Sequence, residues 1–312
     1  METTAKPEGR LRSKSTGTER AEWLLFEKLF GLFCTCATVI LYAVMIACSQ
    51  IAFRLNDRVN CFGYLLVKSV SMIVLVSVLT LYLDVKIFRI DAQARTLLVV
   101  RSLIGVTGVP MFFLIFQYMI MSRTAAVINY SKSLLVAVVA FFVFREPFTK
   151  LNLVASVGAY VGVGFYAFGK PAMSDATPEA FWHSHVIFAA VSSVSTGVVV
   201  LMTRAMNKHL HFVYSPFYYS WFLFAACVAG SYFYPDEFSL ASYEFFDITA
   251  IFTCGLLSLS AECLMSLGLK YEGAGIVAPI ICLELVVHEF SNVLVFGHNW
   301  TVYDAIGCAM IC

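Results

Sequence analysis

The chain has 312 residues, 60% of them hydrophobic and 13% charged, against about 25% charged in a typical soluble domain. The apolar residues fall in long blocks, several near or above the roughly 18 that mark a transmembrane helix, which excludes a soluble globular domain. A net charge of +1 gives no basic excess to recruit nucleic acid.

Residues 1–22 are polar and lack the apolar core of a signal peptide. Residues 1–28 read as a disordered, basic cytoplasmic tail, led into the bilayer by Trp23-Leu24-Leu25-Phe26. Candidate spans follow at 29–53, 61–83, 96–119, 123–144, 148–168, 185–204, 213–234, 248–270, 274–296 and 300–312. The predicted fold is all-α: ten transmembrane helices in two sets of five, residues 29–169 and 185–312. A connecting loop, 170–184, contains Pro171 and Pro178. An odd number of crossings per set makes the second set insert upside down, the inverted-repeat architecture of secondary transporters. The last span is short, about 20 Å of helix against a hydrocarbon core of about 30 Å. The expectation is a truncated final helix, with the native chain running beyond Cys312.

Lysine and arginine placement sets the orientation. With the N-terminus in the cytosol, fourteen of the 21 basic residues fall on the cytoplasmic side, among them Arg10, Lys86, Arg95, Arg145, Arg204 and Lys270. Four (Arg54, Arg58, Arg123, Lys170) fall outside, and Lys68, Arg101 and Lys132 lie within spans. The multi-pass chain is therefore expected to keep both ends in the cytosol, with plasma membrane and endomembrane both open.

One stretch occurs twice. Ser122–Thr149 reappears 152 positions later as Ala274–Thr301: Ala126 falls on Ala278, Ile128 on Ile280, Val143-Phe144 on Val295-Phe296, and Lys132 on Glu284. Opposite charges thus occupy one central position in the two halves. The first half carries Arg101-Ser-Leu-Ile-Gly105, Thr124-Ala125-Ala126, Phe144-Arg145-Glu146-Pro147-Phe148, and Ala155 with Gly158-Ala-Tyr-Val-Gly162. These residues resemble the drug/metabolite transporter superfamily, in particular its EamA-like, solute carrier 35-like branch. The second half matches less closely, with His298 where the turn glutamate would repeat.

The resemblance implies alternating-access movement of a small organic solute. Nucleotide-sugar and sugar-phosphate carriers of that superfamily use a lysine in the fourth span and another base in the ninth. Lys132 fits the first role. Glu284 has the wrong sign for the second and would repel a phosphate, unless Arg101 or Lys68 supplies the missing positive charge. A zwitterionic or cationic solute is the first expectation, with a nucleotide-sugar or other organic-anion carrier as the alternative.

Ionisable side chains in hydrocarbon cost about 2.5–3.5 kcal/mol each on insertion scales, so each needs an explanation. Lys132 and Glu284 form either a structural pair or a pair opened by substrate. Asn129, three residues before Lys132 and on roughly its face, is a second substrate contact or an interhelical hydrogen bond. His288 lies one turn beyond Glu284, and Glu289 about 100° further round. With Glu262 inside span eight, Glu284, His288 and Glu289 are candidates for proton coupling, since burial raises a carboxylate pKa and histidine titrates near neutrality. The plainer account of His288 is a hydrogen-bonded anchor. Substrate binding is thus assigned to Lys132, Glu284, Asn129 and His288.

Lys68 and Arg101 lie nearer span ends and read as snorkelling bases. Tyr214–Trp221 reads as an interfacial aromatic belt, and Gly158, Gly162 and Gly164 as close-packing positions. Pro279 marks a kink or an open carbonyl in span nine. The ten cysteines are scattered through apolar runs and suggest neither a disulfide framework nor a zinc site. His288-Glu289 does not begin a zinc-protease motif, and no phosphate-binding glycine loop is present. No cofactor, metal or catalytic residue is expected, and a homodimer is open. An enzyme would gather catalytic groups at one water-exposed face, whereas the charged pair here is central. The rivals to a transporter are a membrane enzyme and a non-transporting scaffold.

Overall fold

The computed structural model describes residues 17–55, 59–87, 89–118, 131–143, 145, 150–168, 179–207, 210–233, 235–238, 240, 242–296 and 301–312. Among these residues the chain is all-helical, with no strand. Ten α-helices run in order: α1 Gly17–Leu55, α2 Cys61–Tyr82, α3 Ala92–Tyr118, α4 Lys132–Phe142, α5 Lys150–Phe168, α6 Glu179–Asn207, α7 Tyr214–Phe233, α8 Phe245–Tyr271, α9 Ala274–Phe296 and α10 Val302–Ile311. A 3-10 turn, Pro235–Phe238, precedes α8. Five stretches are long and apolar enough to cross a membrane: Leu25–Phe53, Cys61–Tyr82, Ala92–Ile115, Ile187–Asn207 and Phe245–Tyr271. The chain is an integral, multi-pass membrane protein.

Two boundaries differ from expectation. Helix α1 begins at Gly17, so residues 17–28, expected in the tail, are helical. Helix α6 begins at Glu179, so residues 179–184 belong to it and not to the connecting loop. Hydropathy marks where a helix is apolar, whereas Glu, Arg, Leu and Ala favour helix whatever their polarity; residues 17–28 are rich in them, and Glu179-Ala180 opens α6. Asparagine, threonine and acidic residues fix other starts. The Asn60 side chain accepts the Gly63 amide at 2.7 Å, and Thr301 with Asp304, like Glu244 with Asp247, forms a capping box.

Apolar side chains form the core and also cover the outside, and charged ones are buried among them, unlike in a soluble protein. Leu25, Phe33 and Ile40 of α1, Val70, Val74 and Val78 of α2, and Phe141 and Phe142 of α4 point outward, while Gln50, Lys68, Arg101, Glu284, His288, Glu289 and Asp304 are buried. Lipid tails accept the first set, and the bundle interior gathers the second. With no hydrophobic drive between helices in lipid, small residues set the contacts. A Cβ on Gly268 of α8 would lie 2.5 Å from Thr35 Oγ1 of α1, and one on Gly162 of α5 would lie 2.6 Å from the Gly307 carbonyl oxygen of α10. Gly158 faces the Met310 carbonyl of the same helix, while Gly164 has open space around it. The main helix pairs are α1 with α8 and α9, α3 with α6, α2 with α7 and α8, α3 with α7, α4 with α9, and α5 with α10. An aromatic cluster locks the first three helices. Tyr64 lies 5.1 Å from Phe53 and 5.0 Å from Phe113 between ring centroids.

Candidate functional site

Five charged side chains of the interior, Lys68, Arg101, Lys132, Glu262 and Glu284, line one cavity of about 140 Å³. Lys132, the first residue of α4, follows Ser131 at the helix N-cap. Its Nζ lies 3.4 Å from Glu284 Oε2 of α9, with both side chains largely buried. Helix α9 runs unbroken through Pro279, and this carries Glu284 inward. The two residues matched at the 152-residue offset thus meet in space and line the cavity.

A second pair lies across from them. Arg101 of α3 places Nη2 2.7 Å from Glu262 Oε2 of α8. Its Nε donates to Thr203 Oγ1 at 3.3 Å, and its guanidinium lies 5.4 Å from the Tyr219 ring centre. The Tyr42 hydroxyl donates to Glu262 Oε1 at 3.0 Å. Glu262 is therefore held by α1 and α3 together.

Two readings of the sequence need correction here. Lys68 and Arg101 do not snorkel. Each is 2% exposed, and both line the cavity. Arg101 sits about 13 Å along α3 from Ala92, and Lys68 about 10 Å along α2 from Cys61, at 1.5 Å per residue. Helix α3 starts before the apolar run does, so the run alone places Arg101 too near its end. Tyr219 likewise leaves the expected belt and turns inward, 4% exposed, beneath Arg101. An intramembrane charge is a functional candidate by default. That rule, applied to all three bases within spans, would have found both Lys68 and Arg101.

The remaining candidates are distributed differently. His288 and Glu289 are each 1% exposed and lie off the cavity wall. Glu289 lies near enough to Cys308 of α10 to interact electrostatically, as does Asp304. Asn129 falls outside the described residues. The rest of the lining is mainly apolar and aromatic, with Ile46, Val109, Phe112, Phe113, Val199, Met265 and Ile281. The wall can therefore seat an apolar body while its charged groups hold a polar head. No group of three or more metal-ligating side chains occurs among the described residues.

No family model matches the chain. It is 22% identical over 235 residues to a Saccharomyces cerevisiae protein named "Probable transport protein YPL264C". That alignment covers 70% of this chain and 66%, just under two thirds, of the yeast protein. A solved crystal structure superposes with a TM-score of 0.69 at 15% identity, covering 91% of this chain and 93% of the other. At that identity the likeness concerns the fold alone.

Proposed function

We propose that the chain is a secondary-active transporter of a small organic solute, working by alternating access between two inverted five-helix halves. The carrying observation is that both buried ion pairs around the cavity join helices of different halves, α4 to α9 and α3 to α8. Such contacts can break on one side of a cycle and reform on the other. The packing pairs support the repeat. Exchanging α1–α5 with α6–α10 in order turns α1/α8 into α6/α3 and α2/α8 into α7/α3, and leaves α2/α7, α4/α9 and α5/α10 as they are. Similarity to a protein named as a probable transport protein points the same way, as does the resemblance to EamA-like carriers. The reading makes the chain a carrier and not an enzyme, with the N-terminus in the cytosol from its lysine and arginine asymmetry.

In this reading Lys132 and Glu284 meet the substrate. Asn129 and His288 stay in the proposed binding set from their sequence positions alone. Glu262, Glu284, His288 and Glu289 are the groups available for proton coupling. The organic-anion alternative gains support from Lys68 and Arg101 on the cavity wall.

The test is uptake and counterflow in proteoliposomes across amino acids, polyamines, nucleosides and organic anions, with and without a proton gradient. Lys132→Ala and Glu284→Ala are expected to insert normally and to lose transport. Full transport by both would sink the site assignment. Uptake indifferent to the gradient would remove the proton coupling and leave the carrier.

A further inference from the structure

Lys68 differs from every other charge on the cavity wall. It is 2% exposed, and its Nζ meets the Met45 sulfur at 3.7 Å and the Phe113 ring face at 4.6 Å, with Cys254, Glu262 and Cys61 near enough to act on it through space. Neither Met45 nor Phe113 carries a negative charge. Glu262 is engaged at both oxygens, by Arg101 at 2.7 Å and by Tyr42 at 3.0 Å. Glu284 is engaged by Lys132. Among the described residues no carboxylate lies within ion-pair distance of Lys68.

The wall therefore carries three bases and two carboxylates. The two pairs leave one positive charge over, in a place where an isolated ion is costly. A carboxylate ligand would complete it through a charge-assisted hydrogen bond. The apolar side of the ligand would rest on Ile46, Val109, Phe112 and Phe113. A cavity of about 140 Å³ compares with the roughly 150 Å³ that admits benzene, so the body has about the size of one ring. Resting on the transporter reading, we propose that Lys68 anchors a small organic monoanion, a carboxylate with a compact apolar body. With both ion pairs closed, a monoanion matches the charge left over on the wall, whereas a zwitterion would have to open the Lys132–Glu284 pair to place its ammonium. It also disfavours a phosphate monoester, whose second charge has no spare base.

A series built on one ring tests the charge directly. Benzoate, phenyl phosphate, phenylglycine, benzylamine and benzamide are titrated against the purified full chain by thermal shift and calorimetry. The variants are Lys68→Met, Lys68→Gln and Lys68→Arg. Benzoate should raise the Tm of the wild type and of Lys68→Arg, and bind Lys68→Met and Lys68→Gln at least about tenfold more weakly. Unliganded Lys68→Met should melt at or above the wild-type temperature, since it removes a buried charge that has no counter-ion.

The proposal fails if benzoate does not bind, or if it binds Lys68→Met and Lys68→Gln as well as it binds wild type. It fails equally if phenyl phosphate, phenylglycine, benzylamine or benzamide binds as tightly. Counterflow of labelled benzoate separates the two readings. Benzoate held through Lys68 but never exchanged across the bilayer would defeat the transporter and keep the anion site. Exchange of another solute without benzoate binding would defeat the anchor and keep the transporter.

Discussion

Lys132 and Glu284 each lie in a place where one charge without the other is expensive. Removing one partner of a buried pair costs about 3–5 kcal/mol, whereas replacing both by apolar groups of similar volume is often neutral or stabilising. Glu284→Met alone should therefore lower the unfolding temperature. Lys132→Met together with Glu284→Met should recover it without recovering transport, which thermal unfolding and counterflow on one preparation would check. Recovery of both would mark the pair as a structural lock. The pair could be read from the chain because one stretch was matched to another 152 positions on and both charges fall deep in apolar runs. Lys68, Arg101 and Tyr219 could not be placed so easily. Arg101 depends on where α3 begins, four residues before its apolar run, whereas α2 and α7 begin where the runs do, and for Lys68 and Tyr219 the sequence did not say which face of the helix turns inward.

Helix contacts in this bundle turn on single glycines. Gly162→Val would press a side chain into the Gly307 carbonyl and the Ile311 and Met310 side chains of α10, an overpacking that typically costs about 1–3 kcal/mol. Gly164→Ala, two residues along the same helix, meets nothing within 4 Å. It should leave the melting temperature unchanged or raise it, by up to about 1 kcal/mol of helix propensity. Equal melting of the two variants would show that α5 and α10 do not pack through Gly162. The small residues at 158 and 162 were legible as packing positions. Their partner was not, since nothing in the local sequence says that α5 meets α10.

At the scale of the whole molecule, transport by moving halves requires α4 and α9 to separate. Ser133 Oγ lies 3.1 Å from the Cys282 sulfur across that interface, so Ser133→Cys places two thiols in reach of each other. Mild oxidation of that variant should halt counterflow and a reductant should restore it, with oxidised wild type as the control for the ten native thiols. Unimpeded flux through the cross-linked protein would mean that α4 and α9 stay together throughout the cycle. The all-helical fold and the membrane setting were legible in the sequence because lipid demands long apolar runs, five of which stand as spanning helices among the described residues. The pairing of the two halves was only partly so, through the one repeated stretch.

Helix α1 has 39 residues, or about 58 Å of helix, nearly twice the hydrocarbon thickness of about 30 Å. Its first turns leave Trp23 and Phe26 more than half exposed, and it is fastened to α8 from Gly31 and Thr35 onward, against Gly268. A rigid rod gripped along one half sweeps its free end through the larger arc. Any tilt of α8 would be amplified at residues 17–28, where the exposed Trp23 offers an indole whose emission could report it away from the cavity.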